Sequence, residues 1–169
     1  MAEDRKVKTA VNWYENNRDK YKELSAMVKE IIKELLIEKD IYYHSLASRA
    51  KKVDSFKRKA KREKYTDPKN QITDLAGIRI ITLFEKDVYE ISDLIKDIFT
   101  IDYENSEDKS DLLDADKMGY KSVHYIATLT KDLVPKRDYE KYKGLQFEIQ
   151  IRSILQHAWA EIEHDRNYK

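Results

Sequence analysis

Apolar side chains recur at three- and four-residue spacing along the first 40 residues, which is the pattern of an amphipathic helix. The clearest stretch of this stripe consists of Leu24, Met27, Val28, Ile31, Ile32, Leu35 and Leu36. The pattern predicts a helix over about residues 4–38, and a second, strongly basic pattern predicts a helix over residues 53–64. Residues 41–51 have no clear period, although Ile41-Tyr42-Tyr43 is compatible with the start of an extended segment.

Three later segments have the β-branched and apolar composition of strands, namely residues 78–84, 122–130 and 145–152. An amphipathic helix is predicted over residues 88–99, and another over residues 153–168. Between the strands, the acidic residues 102–117 are predicted to form a loop. Residues 135–144 are predicted to form a connection, in the shape of a long hairpin.

This order of elements predicts an α+β fold in which a small mixed β-sheet is flanked by helices. We expect residues 1–40 to form an N-terminal helical extension and residues 41–169 to form the main domain. The last residues, Asn167-Tyr168-Lys169, still have the pattern of a helix, with no capping glycine or proline. We therefore expect the domain to be truncated at its C-terminus.

Composition narrows the kind of function. The 169 residues contain no cysteine, which excludes disulfides and thiolate metal sites, and a net charge of +1 argues against a uniformly basic nucleic-acid surface. No apolar run approaches the roughly 20 residues that span a bilayer, and the N-terminus is not a signal peptide, so we expect a cytoplasmic protein without membrane association. The three glycines form no phosphate-binding loop, so side chains and metal would have to bind any phosphate.

Charge is distributed unevenly along the chain. Nine Lys or Arg residues lie between Arg49 and Lys64, whereas the segment from Asp102 to Asp116 contains seven acids and one Lys. Nine cations on about 16 residues cover more than one helix face, and some of them repel one another unless an anion collects them. Part of this basic cluster is therefore predicted to bind phosphate.

A strand over residues 147–152 would place alternate side chains on opposite faces of a sheet. The apolar set is Phe147, Ile149 and Ile151, and the polar set is Glu148, Gln150 and Arg152. The helix that follows contains His157, Glu161 and His164. A polar strand face beside such a helix predicts a charged pocket, and a water-facing edge of the sheet is the alternative interpretation.

Two carboxylates from different strands suggest a metal site. Asp74 lies at the start of one predicted strand and Glu148 lies in another. If these strands are neighbours, both acids can hold Mg²⁺, which prefers one or two carboxylates together with substrate phosphates. Tyr120, after a glycine turn, is placed to stack on a base, and His124 follows it in a strand. This set of groups suits phosphoryl or pyrophosphoryl transfer.

Three ordered motifs carry a resemblance to a known family. They are Asp74-Leu-Ala-Gly-Ile-Arg79, Gly119-Tyr-Lys-Ser-Val-His124, and Glu148-Ile-Gln-Ile-Arg152 followed by Gln156-His-Ala-Trp159. Over roughly residues 45–168 the chain resembles the synthetase domain of the RelA/SpoT alarmone synthetases. The resemblance implies a nucleotidyltransferase-like sheet. It also implies an ATP-dependent pyrophosphokinase that moves the β,γ-pyrophosphate of ATP to the ribose 3′-hydroxyl of GDP or GTP, making ppGpp or pppGpp.

The same resemblance assigns roles to individual residues. Asp74 and Glu148 would be the catalytic residues and the ligands of Mg²⁺, with proton acceptance from the 3′-hydroxyl as the alternative role of Glu148. Tyr120 would stack on the base of the acceptor, and His124 would contact its phosphate. Arg49 and Lys51 would hold ATP, Lys59 and Arg62 would bind its phosphates, and Gln150 and Arg152 would support the floor of the site. The remaining substrate-binding candidates are Lys57, Lys117 and His157.

One departure from the family pattern leaves the acceptor open. Alarmone synthetases carry basic residues before the Gly-Tyr motif, whereas this chain has the acidic segment with only Lys117 close to Tyr120. The motifs also resemble the toxic branch of the family, for which the acceptor would be the 3′ end of tRNA or an adenine nucleotide. A homo-oligomer, and an antitoxin or regulatory region outside this chain, are compatible with either branch.

Other interpretations of the same residues remain. His157, Glu161 and His164 have the helical spacing of a zinc site, and His164-Asp165 is the dipeptide of metal-dependent hydrolases, although the other ligands that such a hydrolase needs are not placed around it. In the simplest structural alternative, the apolar residues of this helix pack on the sheet; these are Leu155, Trp159 and Ile162. A nucleotide-binding module without turnover is the non-enzyme alternative.

Overall fold

The computed structural model describes residues 2–108 and 122–166. Its helices are α1 (Ala2–Glu38), α2 (Val53–Ala60), α3 (Pro68–Gln71), α4 (Glu85–Ile98), α5 (Lys136–Tyr142) and α6 (Ile154–Arg166). Its strands are β1 (Ser45–Ala50), β2 (Ala76–Thr82), β3 (Thr100–Asp108), β4 (Val123–Thr128) and β5 (Phe147–Ser153). This mixture of helices and strands confirms the predicted α+β class.

The five strands form one sheet in the order β1-β2-β5-β4-β3. Strands β2 and β5 are parallel, and the three other pairs are antiparallel. The predicted mixed sheet is therefore confirmed. The last strand in sequence, β5, lies at its centre, so the polar side chains of β5 do not lie on an edge strand.

Two of the strands were not expected. Strand β1 occupies part of the ambiguous segment 41–51. Strand β3 includes residues 102–108, where the prediction of a loop is wrong. Both lie at edges of the sheet and pair on one side only. Tyr103 of β3 is 70% exposed, and acidic side chains cost little in such a position, so the strand lacks the apolar pattern of a buried one.

Two helical boundaries also differ from expectation. Residues predicted as a hairpin form the helix α5, which follows Pro135; Gly144, just beyond the helix, has a φ of 72°, which favours glycine. Helix α2 ends at Ala60, before the predicted end at residue 64. The chain then turns so that Tyr65 is buried, with its backbone N–H donating to the carbonyl of Arg62.

Helix α1 covers one face of the sheet, packing on β1 and β2 and on the short helices α2 and α3. The side chains that it buries completely are Tyr14, Leu24, Val28, Ile32 and Leu36. Helix α4 packs on β5 and β2, so the apolar residues of β5 are buried in one continuous core. None of the helices in the described ranges is long and apolar enough to cross a membrane.

Helix α6 is oriented differently from the simplest structural alternative. Leu155, Trp159 and Ile162 are 78%, 49% and 54% exposed, so they do not pack on the sheet as that alternative expects. The helix begins with reciprocal hydrogen bonds: Ser153 N donates to Gln156 Oε1, and Gln156 N donates to Ser153 Oγ. These bonds form a capping box, which satisfies two backbone N–H groups at the start of the helix. In this orientation of α6, the side chain of His157 is half-buried.

Candidate active site

Polar side chains from three neighbouring strands share one face of the sheet. In the registers of β2, β5 and β4, Arg79 lies beside Gln150, and Gln150 lies beside His124. In the adjacent row, Glu148 lies between Gly77 and Ile126. Because directly opposed residues point to the same side of a sheet, these groups form a continuous polar surface at its centre.

Asp74 lies just before β2 and is held by two lysines. Lys51 Nζ is 2.6 Å and Lys59 Nζ is 3.0 Å from the same oxygen, Asp74 Oδ2. Burial raises the pKa of Asp74, but the charges and hydrogen bonds of Lys51 and Lys59 lower it by more, so the net shift is downward. The carboxylate is therefore ionised at neutral pH. Its other oxygen, Oδ1, is buried and has no hydrogen-bond partner among the described residues.

Glu148 of β5 is the second buried carboxylate, with only 18% of its side chain exposed. His124 Nδ1 lies 3.5 Å from Oε1, and Gln150 Nε2 donates to Oε2 over 2.9 Å. Burial raises the pKa of Glu148, the hydrogen bond and charge of His124 lower it, Asp74 raises it, and the sum is a lowered pKa. Glu148 is thus also ionised at neutral pH.

Both carboxylates line one cavity of about 700 Å³, which also includes Lys59 and His124. Further lining residues come from the 64–74 segment and from β3: Lys64, Tyr65, Asn70, Gln71, Thr73, Glu104, Asn105, Ser106 and Glu107. The structure therefore brings Asp74 and Glu148 to the same side of the sheet, facing a common space. One wall of this space carries lysines and the wall formed by β3 carries acids.

This cavity fits a hard divalent cation. The buried Asp74 Oδ1 lacks a partner, and the Glu148 carboxylate lies in the same cavity. Mg²⁺ takes one or two carboxylates and completes its shell with water and substrate phosphate oxygens. Within the described residues, no group of three or more His, Cys, Asp or Glu is placed to hold a metal ion, and the side chain of His164 lies outside them. No zinc site is therefore assembled from the part of α6 that is described.

His124 is held from its other side as well. Its Nε2 lies 3.1 Å from Ser122 Oγ and 3.4 Å from Arg152 Nη2. Arg152 is 8% exposed, so its guanidinium lies beneath the polar surface rather than in the open cavity. Ser122 and Arg152 therefore hold the imidazole in the orientation that presents Nδ1 to Glu148.

A second, smaller cavity of about 100 Å³ lies between β1, β2 and β5, and it is lined by Arg49, Gly77, Arg79, Glu148 and Gln150 among others. A Cβ at Gly77 would lie 3.9 Å from Arg49 Cγ, so the arginine side chain passes over the glycine. Arg79 was not among the candidate site residues. Arg79 could have been predicted from sequence, because it lies two residues after Gly77 in the same strand and therefore on the same face of the sheet.

A third cavity, of about 600 Å³, lies between α1 and the segment that joins β1 to α2. The described residues that line it include five cations and no acid: Arg18, Lys22, Arg49, Lys51 and Lys52. Arg18 and Lys22 were missed because α1 was expected to be an extension outside the main domain. Lys57 and Arg62 are exposed, and they line none of these three cavities.

His157 lies beside the polar surface on α6. Burial lowers its pKa, Arg79 and Arg152 add to this effect, and Glu161 opposes it. His157 Nδ1 is buried and has no hydrogen-bond partner in residues 2–108 and 122–166; it lies 3.9 Å from Glu161 Oε1. Two further candidates, Lys117 and Tyr120, lie outside the described residues.

Comparisons with known proteins identify the family. The region found in RelA / SpoT proteins matches residues 48–169. The GTP pyrophosphokinase YwaC of Bacillus subtilis (strain 168) is 34% identical over 101 residues, which are 60% of this chain and 45% of that protein. The GTP pyrophosphokinase YjbM of the same organism is 30% identical over 130 residues, which are 73% of this chain and 56% of that protein. The chain thus spans about half the length of these relatives.

Solved structures have the same fold. The small alarmone synthetase 1 from Bacillus subtilis superposes with a TM-score of 0.72 and 25% identity, over 93% of this chain and 80% of that chain. Its structure bound to its product pppGpp superposes with a TM-score of 0.66 and 26% identity, over 94% of this chain and 80% of that chain. With the family match covering most of the sequence, this chain belongs to the RelA/SpoT family.

Proposed function

We propose that this chain is a pyrophosphokinase that transfers the β,γ-pyrophosphate of ATP to the ribose 3′-hydroxyl of GDP or GTP. The observation that carries the proposal is the cavity lined by Asp74, Glu148 and Lys59, with Lys51 paired to Asp74. Family membership supports it, as do two relatives named GTP pyrophosphokinases and a solved relative that holds pppGpp.

The donor nucleotide is assigned to the β1, α2 and β2 side of the site. Arg49 and Arg79 line the small cavity over Gly77, and guanidinium planes stack well on an aromatic base such as adenine. From there the phosphates of ATP would run towards Lys51 and Lys59. The ammonium groups of both lysines lie within 3.0 Å of Asp74, which lines the larger cavity.

Asp74 would hold Mg²⁺ through the oxygen that has no partner among the described residues. When bound, the ion would neutralise charge that develops on the transferred phosphates. The two lysines on Asp74 Oδ2 keep that carboxylate ionised and add positive charge on the donor side. Phosphoryl-type transfer depends mainly on such positioning and charge stabilisation.

Glu148 is assigned the role of accepting the proton from the attacking 3′-hydroxyl. In the reaction, the ribose 3′-oxygen forms a bond to the β-phosphorus, the bond from that phosphorus to the α,β-bridging oxygen breaks, and AMP leaves. Glu148 is ionised, and Gln150 and His124 fix its two oxygens, so it can accept the released proton in a defined position.

A labelled-donor assay tests the proposal. The protein is incubated with Mg²⁺ and ATP labelled in its γ-phosphate, and GDP, GTP, ADP, ATP and tRNA are offered in parallel. We expect label in a guanosine product together with an equal amount of AMP. Asp74→Asn should lower kcat by about 100-fold or more, since it removes a ligand-capable charge from the reacting centre. Asp93→Asn, an exposed acid on α4, is the matched control and should keep full activity.

The proposal fails if no acceptor is labelled by the folded wild-type protein. It also fails if Asp74→Asn and Asp93→Asn have the same activity. If Asp74→Asn unfolds the domain, Glu148→Gln provides the same comparison from the other side of the cavity. AMP and product must appear in equal amounts, because simple ATP hydrolysis would release label as phosphate or pyrophosphate instead.

One observation favours a second class of acceptor. Glu104 and Glu107 of β3 line the cavity that contains Glu148. Carboxylates in this position repel the 5′-phosphates of a free nucleotide. The 3′ end of tRNA presents a ribose hydroxyl without a terminal polyphosphate, so label in tRNA alone would favour this acceptor over GDP and GTP.

A further inference from the structure

Two side chains of α1 contact the backbone of a residue in the candidate active site. Tyr14 OH donates to the carbonyl of Lys51 over 2.7 Å, and Arg18 Nε donates to the same carbonyl over 3.2 Å. Tyr14 and Arg18 are four residues apart, so they lie on the same side of the helix. Both lie in the segment that the sequence alone assigns to an extension outside the main domain.

Lys51 is the residue through which these contacts reach Asp74. Its backbone N–H donates to the carbonyl of Leu75 over 2.9 Å, and its ammonium group lies 2.6 Å from Asp74 Oδ2. Tyr14 OH also lies 3.5 Å from the carbonyl of Leu75. The hydroxyl thus sits between the backbone of Lys51 and the residue that directly follows Asp74.

The ring of Tyr14 also fixes α2. It stacks on Phe56, with ring centroids 4.6 Å apart and an interplanar angle of 25°, and both side chains are completely buried. Lys59, which supplies the second ammonium group on Asp74, lies one turn after Phe56 in this helix. One tyrosine therefore contacts both segments that present a lysine to Asp74.

We propose that Tyr14 and Arg18 are positioning residues that hold the Lys51–Asp74 pair in the geometry needed for pyrophosphate transfer. They touch neither carboxylate, and they act through the backbone of Lys51. The effect on turnover rests on the proposed function, whereas the structural coupling between α1 and the Asp74 segment does not.

Small displacements of the Lys51–Asp74 pair are expected to lower the rate of pyrophosphate transfer. Misplacing a reacting group by about 1 Å can cost about 100-fold in rate. Burial raises the pKa of Tyr14 to about 12, so its hydroxyl remains a donor throughout the range in which such an enzyme is assayed. Without that donor, Arg18 alone would hold the carbonyl of Lys51.

The test compares Tyr14→Phe, Arg18→Met and the double variant with Tyr21→Phe. Tyr14→Phe keeps the ring on Phe56 and removes only the hydroxyl. Tyr21 is a matched control on the same helix, because it is 7% exposed, packs against Tyr14 and makes no hydrogen bond within the described residues. Arg18→Lys keeps a donor near the carbonyl, and it should restore most of what Arg18→Met loses.

Hydrogen exchange followed by mass spectrometry gives a readout that does not depend on activity. Peptides covering residues 49–56 and 72–76 should exchange faster in Tyr14→Phe, and faster again in the double variant. The same peptides should be unchanged in Tyr21→Phe. Equal exchange in wild type and the double variant overturns the proposal.

Steady-state kinetics give the second readout. We expect kcat to fall about 10-fold in Tyr14→Phe and about 100-fold in the double variant, with a higher half-saturating Mg²⁺ concentration and an unchanged KM for the acceptor. Activity losses no larger than that of Tyr21→Phe would overturn the proposal. If wild type transfers pyrophosphate to no acceptor, the proposed function fails, and the exchange data alone decide whether Tyr14 and Arg18 position this segment.

Discussion

At the scale of single residues, the two carboxylates of the site differ in their partners. Asp74 has two ammonium groups on one oxygen and, within the described part of the chain, no partner on the other. Both oxygens of Glu148, in contrast, are oriented by His124 and Gln150. Asp74 is therefore suited to hold a cation through its free oxygen while staying ionised. The two oxygens of Glu148 are held by His124 and Gln150 rather than by lysines, so Glu148 is better suited to take up a proton.

His157 provides a prediction about pH. Its pKa is lowered in the folded protein by burial and by Arg79 and Arg152, against an unfolded value of about 6.5. On acidification through about pH 6.5 the unfolded chain takes up a proton at this position before the folded protein does, so the free energy of unfolding falls. Replacing His157 with a residue that does not titrate should remove this part of the pH dependence of the free energy of unfolding.

We therefore expect His157→Gln to lose less stability than wild type when the pH changes from 7.5 to 5.5. Urea unfolding at the two pH values measures the difference directly. An identical loss in both proteins would mean that the environment of His157 does not disfavour its protonated form.

At the scale of elements, alternation along β5 and rotation of α6 decide which groups reach the site. Strand β5 buries its apolar residues completely and presents Glu148 and Gln150 on the opposite face. Helix α6 then brings His157 towards Arg79 and Arg152 and leaves Leu155 exposed. The site is thus formed by a central strand and the helix that directly follows it.

The central strands could be predicted from sequence, and the edges could not. Strands β2, β4 and β5 have a dense apolar pattern because both faces or one whole face are buried. Strand β3 is acidic and pairs on one side, so its pattern is that of a loop. The orientation of α6 was not predicted, because the apolar spacing of Leu155, Trp159 and Ile162 suggests packing on the sheet although all three are exposed.

Short sequence motifs identified the polar residues of the candidate site that lie within such motifs. Asp74, His124 and Glu148 each belong to a motif, and the structure brings them to one cavity. Arg18 and Lys22 belong to no motif, and only the packing of α1 against β1 brings them near Lys51. Contacts between distant segments of this kind have no local signal in the sequence.

The burial difference between β5 and α6 gives a matched test with one residue type. Ile149 of β5 is completely buried, whereas Ile162 of α6 is 54% exposed. Ile149→Ala should lower the free energy of unfolding by about 2–5 kcal/mol because it leaves a cavity in the core. Ile162→Ala should change it by less than about 0.5 kcal/mol. Chemical denaturation of the two variants measures both values, and a large loss in Ile162→Ala would contradict the observed orientation of α6.

At the scale of the whole molecule, α1 and the sheet share one hydrophobic core. The helix buries a continuous stripe from Tyr14 to Leu36, and this stripe packs on β1 and β2. The proposed positioning contacts to Lys51 lie within the same interface. Residues 1–40 therefore contribute to the stability of the sheet and to the arrangement of the groups on its opposite face.

This shared core predicts that a fragment of residues 41–169 does not fold independently. Without α1, the apolar face of β1 and β2 would be exposed to water, and its burial is the main source of stability for so small a sheet. We expect the fragment to show no cooperative urea transition, while the full chain shows one. In the full chain, Ile32 is completely buried on α1. Ile32→Ala should therefore lower the free energy of unfolding by about 2–5 kcal/mol. Ile37→Ala, at a position that is 65% exposed on the same helix, is the control and should leave it nearly unchanged. A fragment that unfolds cooperatively at the same urea concentration as the full chain would instead mean that α1 is a separable extension.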